Sequence, residues 1–496
     1  MGLAVTRDDF RQEDYIAFKT QLHSGLAALK QLLEREDFGV GPSTIGAEVE
    51  YYIIDHNLNV LPRNQEILAQ CNEPGLTVEL NRFNLEYNSP PLTLTDAPFL
   101  ALQADLNNME RRLNRIADQF HGRIIPIGIL PTLTQRDFHP HTMTDIPRYR
   151  VLSRALRSRR GAPFRIDIDG ADPLRMEMED VTLEGASTSY QIHWRVPPRK
   201  FAAYFNAVQL VTPIALALAA NSPSLFGHLL WDETRIALFK QSIDTRLPLQ
   251  IDWHHPPRVS FGEGWVREGA WELFAEAIAL YPVIMPVTST EDPLAVVEQG
   301  GIPKLEELRL HQGTTWPWNR AIYDPADGGH LRIEMRALPS GPTAIDMSAN
   351  ALFLIGAALA VEEGISHFSR VLPFRYAEQN FYRAAKYGID ANLIWPSRYR
   401  AELREVPLLE VALQLLPLIR DKLLQIPLNA AEVEQLLQVI EGRIEQRITP
   451  ARWQRHMLAR FEAAGHSRDD ALHAMLSRYL EEQNRQRPVC EWSLEP

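Results

Sequence analysis

The chain has 496 residues, with 63 Asp and Glu against 51 Lys and Arg and a formal net charge of −12. Nucleic-acid-binding domains usually carry a basic face, so this balance argues against that class and favours small-molecule chemistry. The two cysteines, Cys71 and Cys490, are too few for a disulfide framework or a cysteine-based zinc site.

The sequence shows no sign of a membrane anchor or an export signal. Residues 1–15 lack a basic segment followed by an apolar core. The longest apolar runs, 210–220 and 351–361, are shorter than the roughly 20 residues that cross a bilayer. We interpret both runs as buried helices and expect a cytoplasmic protein without membrane partners.

Hydrophobic periodicity and turn residues predict the elements in chain order. For example, apolar residues recur every three or four positions between Leu102 and Phe120, which predicts a helix that Gly122 ends. The predicted elements are helix 12–36, strand 43–55, strands 78–81 and 85–88, helix 96–122, strand 123–130, helix 199–221, strand 331–338 and helix 346–363.

After about residue 376 the strand signals disappear. Asn429, Thr449 and Ser467 are residue types that begin helices, and Pro450 suits a first helical position. We therefore expect an α+β body over residues 1–375 and a helical C-terminal region over residues 376–496, whose helical patterns do not decide between a packing and an oligomerisation role.

Several familiar catalytic motifs are absent from the sequence. There is no GxxxxGK[ST] phosphate loop, no HExxH and no GxSxG. A nucleotide enzyme with this sequence would hold phosphates through metals and arginines.

Polar side chains alternate along the strand-like segments. Side chains at positions i and i+2 share one face of a strand. The polar sets that share a face are Glu48 with Glu50, Glu79 with Asn81, Glu86 with Asn88, Gln191 with His193, and Arg332 with Glu334 and Arg336. Glu79 and Glu86, seven positions apart, face the same way only if the bend at residues 82–84 resets the register.

A solvated sheet face would also show this alternation. However, glutamate is depleted in strands, and here it recurs without lysine. Crowded carboxylates repel each other unless cations lie between them. Oxygen ligands suit Mg²⁺ or Mn²⁺, and a single imidazole suits the softer Mn²⁺. The neighbouring guanidinium groups of Arg332 and Arg336 suit phosphate oxygens.

At these residues the sequence resembles the glutamate–cysteine ligase and carboxylate–amine ligase family, which has the glutamine-synthetase fold. The matching segments occur in the family's order over roughly residues 40–350. They are Gly46–Glu50, Glu79 and Glu86 followed by Ser89-Pro90-Pro91, His193, Ala219–Pro223 and Arg332–Arg336, and the later Thr449–Gln454 is similar to members with helical tails. Gln191 departs from the family pattern, since many carboxylate–amine ligases have a His-x-His pair there.

The resemblance implies an antiparallel sheet curved into a funnel, with flanking helices, two or three divalent cations at its centre, and ATP entering from one end. It implies Mg²⁺ or Mn²⁺ ligands at Glu48, Glu50, Glu79, Glu86, His193 and Glu334. It also implies a phosphate-facing Arg336, with Arg332 as a second catalytic arginine.

Substrate contacts are less well defined by the sequence. The resemblance implies a substrate-side arginine at Arg235, for which a surface salt bridge is an equal alternative. Trp316, Asn319 and Arg320 lie in an aromatic, proline-containing segment and are candidates for the substrate pocket, although packing explains the tryptophan equally well.

The implied reaction is ATP-dependent amide formation through an acyl phosphate, between a carboxylate such as the glutamate γ-carboxylate and an amine such as cysteine. The alternatives are a phosphotransferase on the same fold and a non-catalytic amino-acid or nucleotide sensor. A metal-dependent hydrolase would use the acids but would not explain the arginines beside Glu334.

Overall fold

The computed structural model describes residues 9–246, 256–396 and 402–495. The α-helices of these residues are α1 (Gln12–Glu34), α2 (Asn64–Cys71), α3 (Pro98–Ala117), α4 (Pro147–Arg160), α5 (Phe201–Ala219), α6 (Arg235–Ser242), α7 (Ala270–Leu280), α8 (Pro293–Glu298), α9 (Glu306–Gln312), α10 (Ala344–Glu362), α11 (Ile365–Val371), α12 (Phe374–Tyr387), α13 (Leu408–Leu423), α14 (Ala430–Gln446), α15 (Pro450–Ala463) and α16 (Arg468–Asn484).

The β-strands of the same residues are β1 (Thr44–Asp55), β2 (Leu76–Val78), β3 (Asn84–Asn88), β4 (Leu92–Thr93), β5 (Gly122–Ile125), β6 (Phe164–Ile168), β7 (Leu174–Met178), β8 (Tyr190–Val196), β9 (Ser224–Leu225), β10 (His228–Leu229), β11 (Asn319–Asp324), β12 (His330–Met335), β13 (Asn392–Pro396) and β14 (Leu403–Pro407).

A curled antiparallel sheet of eight strands forms the centre of the fold. Its order is β11-β12-β8-β1-β3-β2, and β4 and β5 also pair with β1. Along most of β1 buried residues alternate with partly exposed ones, so Val49 and Tyr51 face the core while Glu48 and Glu50 face the opposite side. The predicted α+β class and curved antiparallel sheet are confirmed.

The two most apolar helices pack inside the protein. Segments 198–219 and 344–362 are long and apolar enough to cross a membrane, but 83% of each apolar window is buried in the structure. They correspond to α5 and α10, which lie against each other and against the helices of the C-terminal region. Their interpretation as buried helices is confirmed.

Most of the predicted elements occur with shifted ends. The strand predicted at 123–130 stops at Ile125, because the next residue, Pro126, has no N–H for the sheet ladder. Gly122 begins this strand instead of ending the preceding helix, whose α-helical part stops at Ala117.

The prediction that strands are absent after residue 376 is wrong. β13 and β14 form an antiparallel pair in which Asn392 lies opposite Pro407. The predicted helix starts are confirmed, because the side chains of Asn429, Thr449 and Ser467 all accept hydrogen bonds from backbone N–H groups of the first turn.

The C-terminal helices are tied to the body by buried polar contacts. Gln454 donates to Oδ1 of Asn221 at 2.7 Å, and this contact joins two of the segments that carry the family resemblance. Arg443 and Asp346 form a fully buried ion pair at 2.7 Å. One hydrophobic core includes residues from both regions. The division at residue 375 stays a prediction.

Candidate active site

Three neighbouring strands bring two carboxylates and an imidazole together. Glu334 of β12 lies opposite His193 of β8. His193 also pairs with β1, at the position two residues before Glu48. The Nε2 atom of His193 lies 2.9 Å from Oε1 of Glu48 and 3.7 Å from Oε1 of Glu334. One ligand atom from each residue lies within 4.8 Å of the others, a spacing that suits a shared cation.

Two arginines surround Glu334 on the same face of the sheet. Arg320 binds both carboxylate oxygens, with Nε at 2.6 Å and Nη2 at 2.9 Å. Arg336 places Nη1 3.4 Å from Oε2. Burial opposes ionisation, but the two guanidinium groups outweigh it and hold the pKa of Glu334 far below its ordinary range. Glu334 is therefore a carboxylate.

Glu48 is the other ionised acid of this group. Burial alone would raise the pKa of its carboxyl group. The charge and the hydrogen bond of His193 outweigh burial, and the pKa of Glu48 is lowered. The imidazole of His193 thus offsets the cost of burying the Glu48 carboxylate.

A second group of acids comprises Glu50, Glu79, Glu86 and Glu184. None of them forms an ion pair with an arginine, lysine or histidine among the described residues. Burial is the largest cause that raises each pKa, and the neighbouring carboxylates add to it for Glu79, Glu86 and Glu184. The pKa of Glu79 and that of Glu184 both rise to about 8. Such a group is unfavourable as anions alone, and bound divalent cations would relieve the repulsion.

The bend between β2 and β3 brings Glu79 and Glu86 together. β2 ends at Val78, so Glu79 lies in the connection, and Glu86 is close enough to hydrogen-bond it. Asn64 holds this bend, since its Nδ2 donates to the carbonyl oxygens of Asn81 and Asn84, both at 3.1 Å. The register is reset as the seven-residue spacing requires.

Glu184 was missed by the sequence interpretation. It lies in a 3₁₀ turn, Thr182–Ala186, that docks on the bend through a hydrogen bond from Asn81 to the carbonyl oxygen of Thr182 at 2.8 Å. A Cβ at Gly185 would lie 2.4 Å from Nδ2 of Asn81, so only glycine allows this approach. No periodic pattern marks the acid, and the glycine beside it is the only local signal.

Gln191, which departs from the family pattern, connects the two groups of acids. Its Nε2 donates to Glu50 at 3.2 Å, and its Oε1 accepts a hydrogen bond from Arg336. Ser189 also binds Glu50, through its backbone N–H at 2.8 Å and its hydroxyl at 2.7 Å. An amide supplies both a donor and an acceptor, so this side chain can contact an acid and an arginine at the same time.

Two of the predicted arginines have other partners. Arg332 binds Asp324 at 2.7 Å. Arg235 is buried and binds Glu233 at 2.9 Å, although its charge also lowers the pKa of Glu50, against the larger effect of burial. A surface salt bridge is excluded for Arg235, since it is 2% exposed.

The remaining predicted substrate contacts lie at the edge of the sheet. Trp316 is partly buried, with its ring edge-on to Phe239. Asn319 is buried and donates to Gln209 at 2.6 Å. The roles of these residues, and the ligand roles above, stay predictions.

The donor set fits hard divalent cations. Carboxylate oxygens dominate it, with the single imidazole of His193, and this combination suits Mg²⁺ or Mn²⁺ better than thiolate-seeking metals. If these acids hold cations, the protein without cations should contain some ionised acids beside others with raised pKa values. Glu334 and Glu79 show these two states.

Comparison with solved structures identifies the fold. A glutamate–cysteine ligase from Francisella tularensis, solved in complex with AMP, has 12% sequence identity and a TM-score of 0.55, and the match covers 92% of this chain and 91% of that chain. Less similar is a bifunctional glutathione synthetase from Pasteurella multocida, with 12% identity, a TM-score of 0.42, and 95% and 55% coverage. A complex of the ubiquitin-like protein Pup with its ligase PafA has 10% identity, a TM-score of 0.40, and 92% and 73% coverage.

Part of the chain also matches a known family. Residues 44–268 match the family described as Glutamate-cysteine ligase family 2 (GCS2), and the resemblance predicted from the sequence is confirmed over that segment. The segment contains the strands that carry Glu48, Glu86 and His193, whereas Glu334 lies beyond it. No curated protein matches the chain.

Proposed function

We propose that the chain forms an amide between an amino-acid carboxylate, the γ-carboxylate of glutamate being the leading choice, and an amine such as cysteine, with ATP as the energy source. The observation that carries the proposal is the cluster of Glu48, His193 and Glu334 with Arg336 beside it. The AMP bound to the Francisella tularensis ligase supports nucleotide use on this fold.

The cations would be Mg²⁺ or Mn²⁺. Their ligands would come from the predicted set, namely Glu48, Glu50, Glu79, Glu86, His193 and Glu334, with Glu184 close to Glu79 and Glu50. When bound, such ions neutralise phosphate charge and favour phosphoryl transfer.

The chemistry needs no covalent enzyme nucleophile. A substrate carboxylate oxygen bonds to the γ-phosphorus, and the bond from that phosphorus to ADP breaks. The amine nitrogen then bonds to the acyl carbon, the carbon–oxygen bond to phosphate breaks, and the nitrogen loses its proton. The absence of nucleophile motifs agrees with this scheme.

The chain's own contribution is positioning and charge. Arg336 is held by Gln191 and Glu334, so its guanidinium lies on the acid-bearing face, where it would offset charge on a transferring phosphoryl group. Arg320 keeps Glu334 in one orientation through its bidentate contact. Such preorganised groups act without reorganising during the reaction.

One assay tests the proposal against its alternatives. The purified full chain is supplied with ATP, Mg²⁺ and a panel of amino acids and amines, and ADP release is measured together with product mass. A new amide supports the ligase. If hydroxylamine replaces the amine, it should trap the acyl phosphate as a hydroxamate. A stable phosphorylated product would identify a phosphotransferase, and ligand binding without ADP release would identify a sensor.

The cytoplasmic location and the lack of membrane and nucleic-acid partners stay predictions.

A further inference from the structure

The C-terminal helices α15 and α16 meet the body at a fully buried asparagine, Asn221, which lies just beyond α5. Its Oδ1 accepts a hydrogen bond from Nε2 of Gln454 on α15 at 2.7 Å, and its Nδ2 donates to the hydroxyl of Tyr479 on α16 at 3.0 Å. The Tyr479 hydroxyl can only accept there, because it donates to the carbonyl oxygen of Pro126 at 3.1 Å. The two helices therefore fix the orientation of the Asn221 amide.

A first chain of contacts leads from Asn221 to Glu50 on the acid-bearing face. Nδ2 of Asn221 also donates to the carbonyl oxygen of Ser340 at 2.8 Å, and the Ser340 hydroxyl donates to the carbonyl oxygen of Glu50 at 2.6 Å. The neighbouring Pro339 pairs with Ser189, whose N–H and hydroxyl bind the Glu50 carboxyl group. The segment that Asn221 holds thus contacts Glu50 directly and also contacts the residue that orients its carboxyl group.

A second chain of contacts runs through a buried ion pair. The backbone N–H of Asn221 donates to Oε2 of Glu233 at 2.8 Å, and Oε1 of Glu233 binds Arg235 at 2.9 Å. Arg235 lies close enough for its charge to act on the carboxyl group of Glu50. Asn221 therefore anchors two separate groups that face Glu50.

The amide of Gln454 is explained by its action on Asn221 and not by packing. Gln454 is 1% exposed, and its Oε1 has no hydrogen-bond partner among the described residues. A buried amide oxygen without a donor costs free energy, which an apolar side chain at this position would avoid. The N–H groups of Gln454 are used, and both of their contacts go to Asn221, to its Oδ1 and to its carbonyl oxygen.

We propose that Gln454 is a positioning residue for Glu50, and that the C-terminal helices are thereby part of the catalytic unit. The proposal rests on the proposed role of Glu50 as a cation ligand. Metal ligands bind more tightly when hydrogen-bonded partners hold them in place, and the contact between Gln454 and Asn221 fixes the partners of Glu50. Two sequence segments that contain none of the proposed ligands, Ala219–Pro223 and Thr449–Gln454, gain a role in this way.

The test is Mn²⁺ binding by the full chain without ATP, measured by electron paramagnetic resonance in wild type and in Gln454→Met. Methionine has a similar volume to glutamine but cannot donate to Asn221. We expect the dissociation constant for Mn²⁺ to rise by about tenfold, the lower end of the loss that follows removal of a partner of a metal ligand. Equal Mn²⁺ affinity in Gln454→Met and wild type would overturn the proposal.

Asn350→Leu is the matched control. Asn350 is a buried amide of α10 that accepts from Arg443 of the C-terminal region at 2.6 Å, and its Nδ2 has no partner among the described residues. It joins the same two regions without a contact to Asn221. Asn350→Leu should lower the melting temperature and leave Mn²⁺ affinity unchanged. A loss of Mn²⁺ affinity equal to that in Gln454→Met would show a general effect of stability and would overturn the proposal.

Tyr479→Phe provides a second variant if Gln454→Met does not fold. It removes the hydroxyl that binds Asn221, while the ring can keep its edge-on contacts with Trp453 and Trp492. Mn²⁺ binding should weaken as in Gln454→Met. Wild-type Mn²⁺ affinity in a folded Tyr479→Phe protein would count against fixation of Asn221 by the two helices and would overturn the proposal.

Glu50→Gln separates this proposal from the proposed function. If Gln454 acts through Glu50, Gln454→Met should weaken Mn²⁺ binding no further in the Glu50→Gln background. A further loss as large as in the wild-type background would overturn the positioning role. If Glu50→Gln weakens Mn²⁺ binding and Gln454→Met does not, the positioning role alone fails. If Glu50→Gln leaves Mn²⁺ binding unchanged, Glu50 is not a ligand, and its place in the proposed function fails together with the positioning role.

Discussion

Glu50 of β1 and Glu86 of β3 lie directly opposite each other on the same face of the sheet, and no arginine or lysine of the described chain bridges them. Like charges in register destabilise a strand pair, and burial strengthens the effect. The pKa of each carboxyl is raised, Glu50 by burial and Glu86 by burial and neighbouring acids. The sheet thus keeps a repulsive pair that an added cation would turn into a favourable one.

Replacing Glu86 by Gln should therefore stabilise the cation-free protein and weaken its response to cations. We expect the free energy of unfolding without metal to rise by about 1 kcal/mol and the gain in melting temperature with Mn²⁺ to shrink. Denaturant unfolding with and without Mn²⁺ measures both effects. Glu177→Gln, on the exposed face of β7, is the control and should change neither. A cation-free Glu86→Gln protein that is less stable than wild type would count against this interpretation.

The two candidate catalytic arginines should differ in importance. Arg336 contacts Glu334 and the neighbouring amide of Gln191, whereas Arg332 binds Asp324. Lysine cannot reproduce the forked contacts of arginine. We expect Arg336→Lys to lower kcat for ADP formation by about 100-fold or more, and Arg332→Lys to lower it much less. The opposite order of kcat values would show that Arg332 is the phosphate-facing residue.

A carboxyl far from the acid cluster should make stability depend on pH. Glu110 on α3 is buried, and burial raises its pKa to about 7 from an ordinary value of 4.5, although Arg123 opposes the shift. A raised carboxyl pKa means that folding favours the protonated form, so stability is retained below pH 4.5 and is lost as the pH rises through 7.

Glu110→Gln should remove this pH-dependent loss. At pH 8 the variant should be more stable than wild type by up to about 3 kcal/mol, and near pH 4.5 the two should be similar. Urea unfolding at both pH values measures the difference. Asp118→Asn, an exposed acid just beyond the same helix, should leave the pH dependence unchanged. A difference between wild type and Glu110→Gln that is independent of pH would contradict the assignment.

The buried ion pair between α14 and α10 should be essential for attachment of the C-terminal helices. Arg443 and Asp346 are both fully buried, and removal of one partner leaves an uncompensated charge. Arg443→Ala should therefore cost about 3–5 kcal/mol of unfolding free energy. Arg447→Ala breaks the exposed pair with Asp390 and should cost less than about 1 kcal/mol. Equal losses in denaturant unfolding would argue against a joined core.

The sequence was informative where a regular period places a side chain. Glu48 and Glu50 could be assigned to one face from the alternation of β1 alone, and the same holds for Glu334 between Arg332 and Arg336. The helix starts followed from local hydrogen bonding of side chains such as Asn429. These features depend on neighbours a few residues away, which a single sequence displays.

The sequence was uninformative where distant segments meet. Glu184 reaches the acid cluster because Gly185 lets Asn81 approach, a contact across about a hundred positions. The contacts of Gln191 depend equally on distant partners, Glu50 of β1 and Arg336 just after β12. The pair β13–β14 was missed because strands of only five residues each show little periodicity.

We propose above all that the acids of the curled sheet hold divalent cations for an ATP-dependent reaction. The most direct measurement is Mn²⁺ binding by electron paramagnetic resonance in parallel with ADP formation, in wild type, Glu334→Gln and Glu177→Gln. We predict that Glu334→Gln stays folded but loses ADP formation and binds Mn²⁺ more weakly, while Glu177→Gln behaves as wild type. Unchanged Mn²⁺ binding and full ADP formation in Glu334→Gln would contradict the claim.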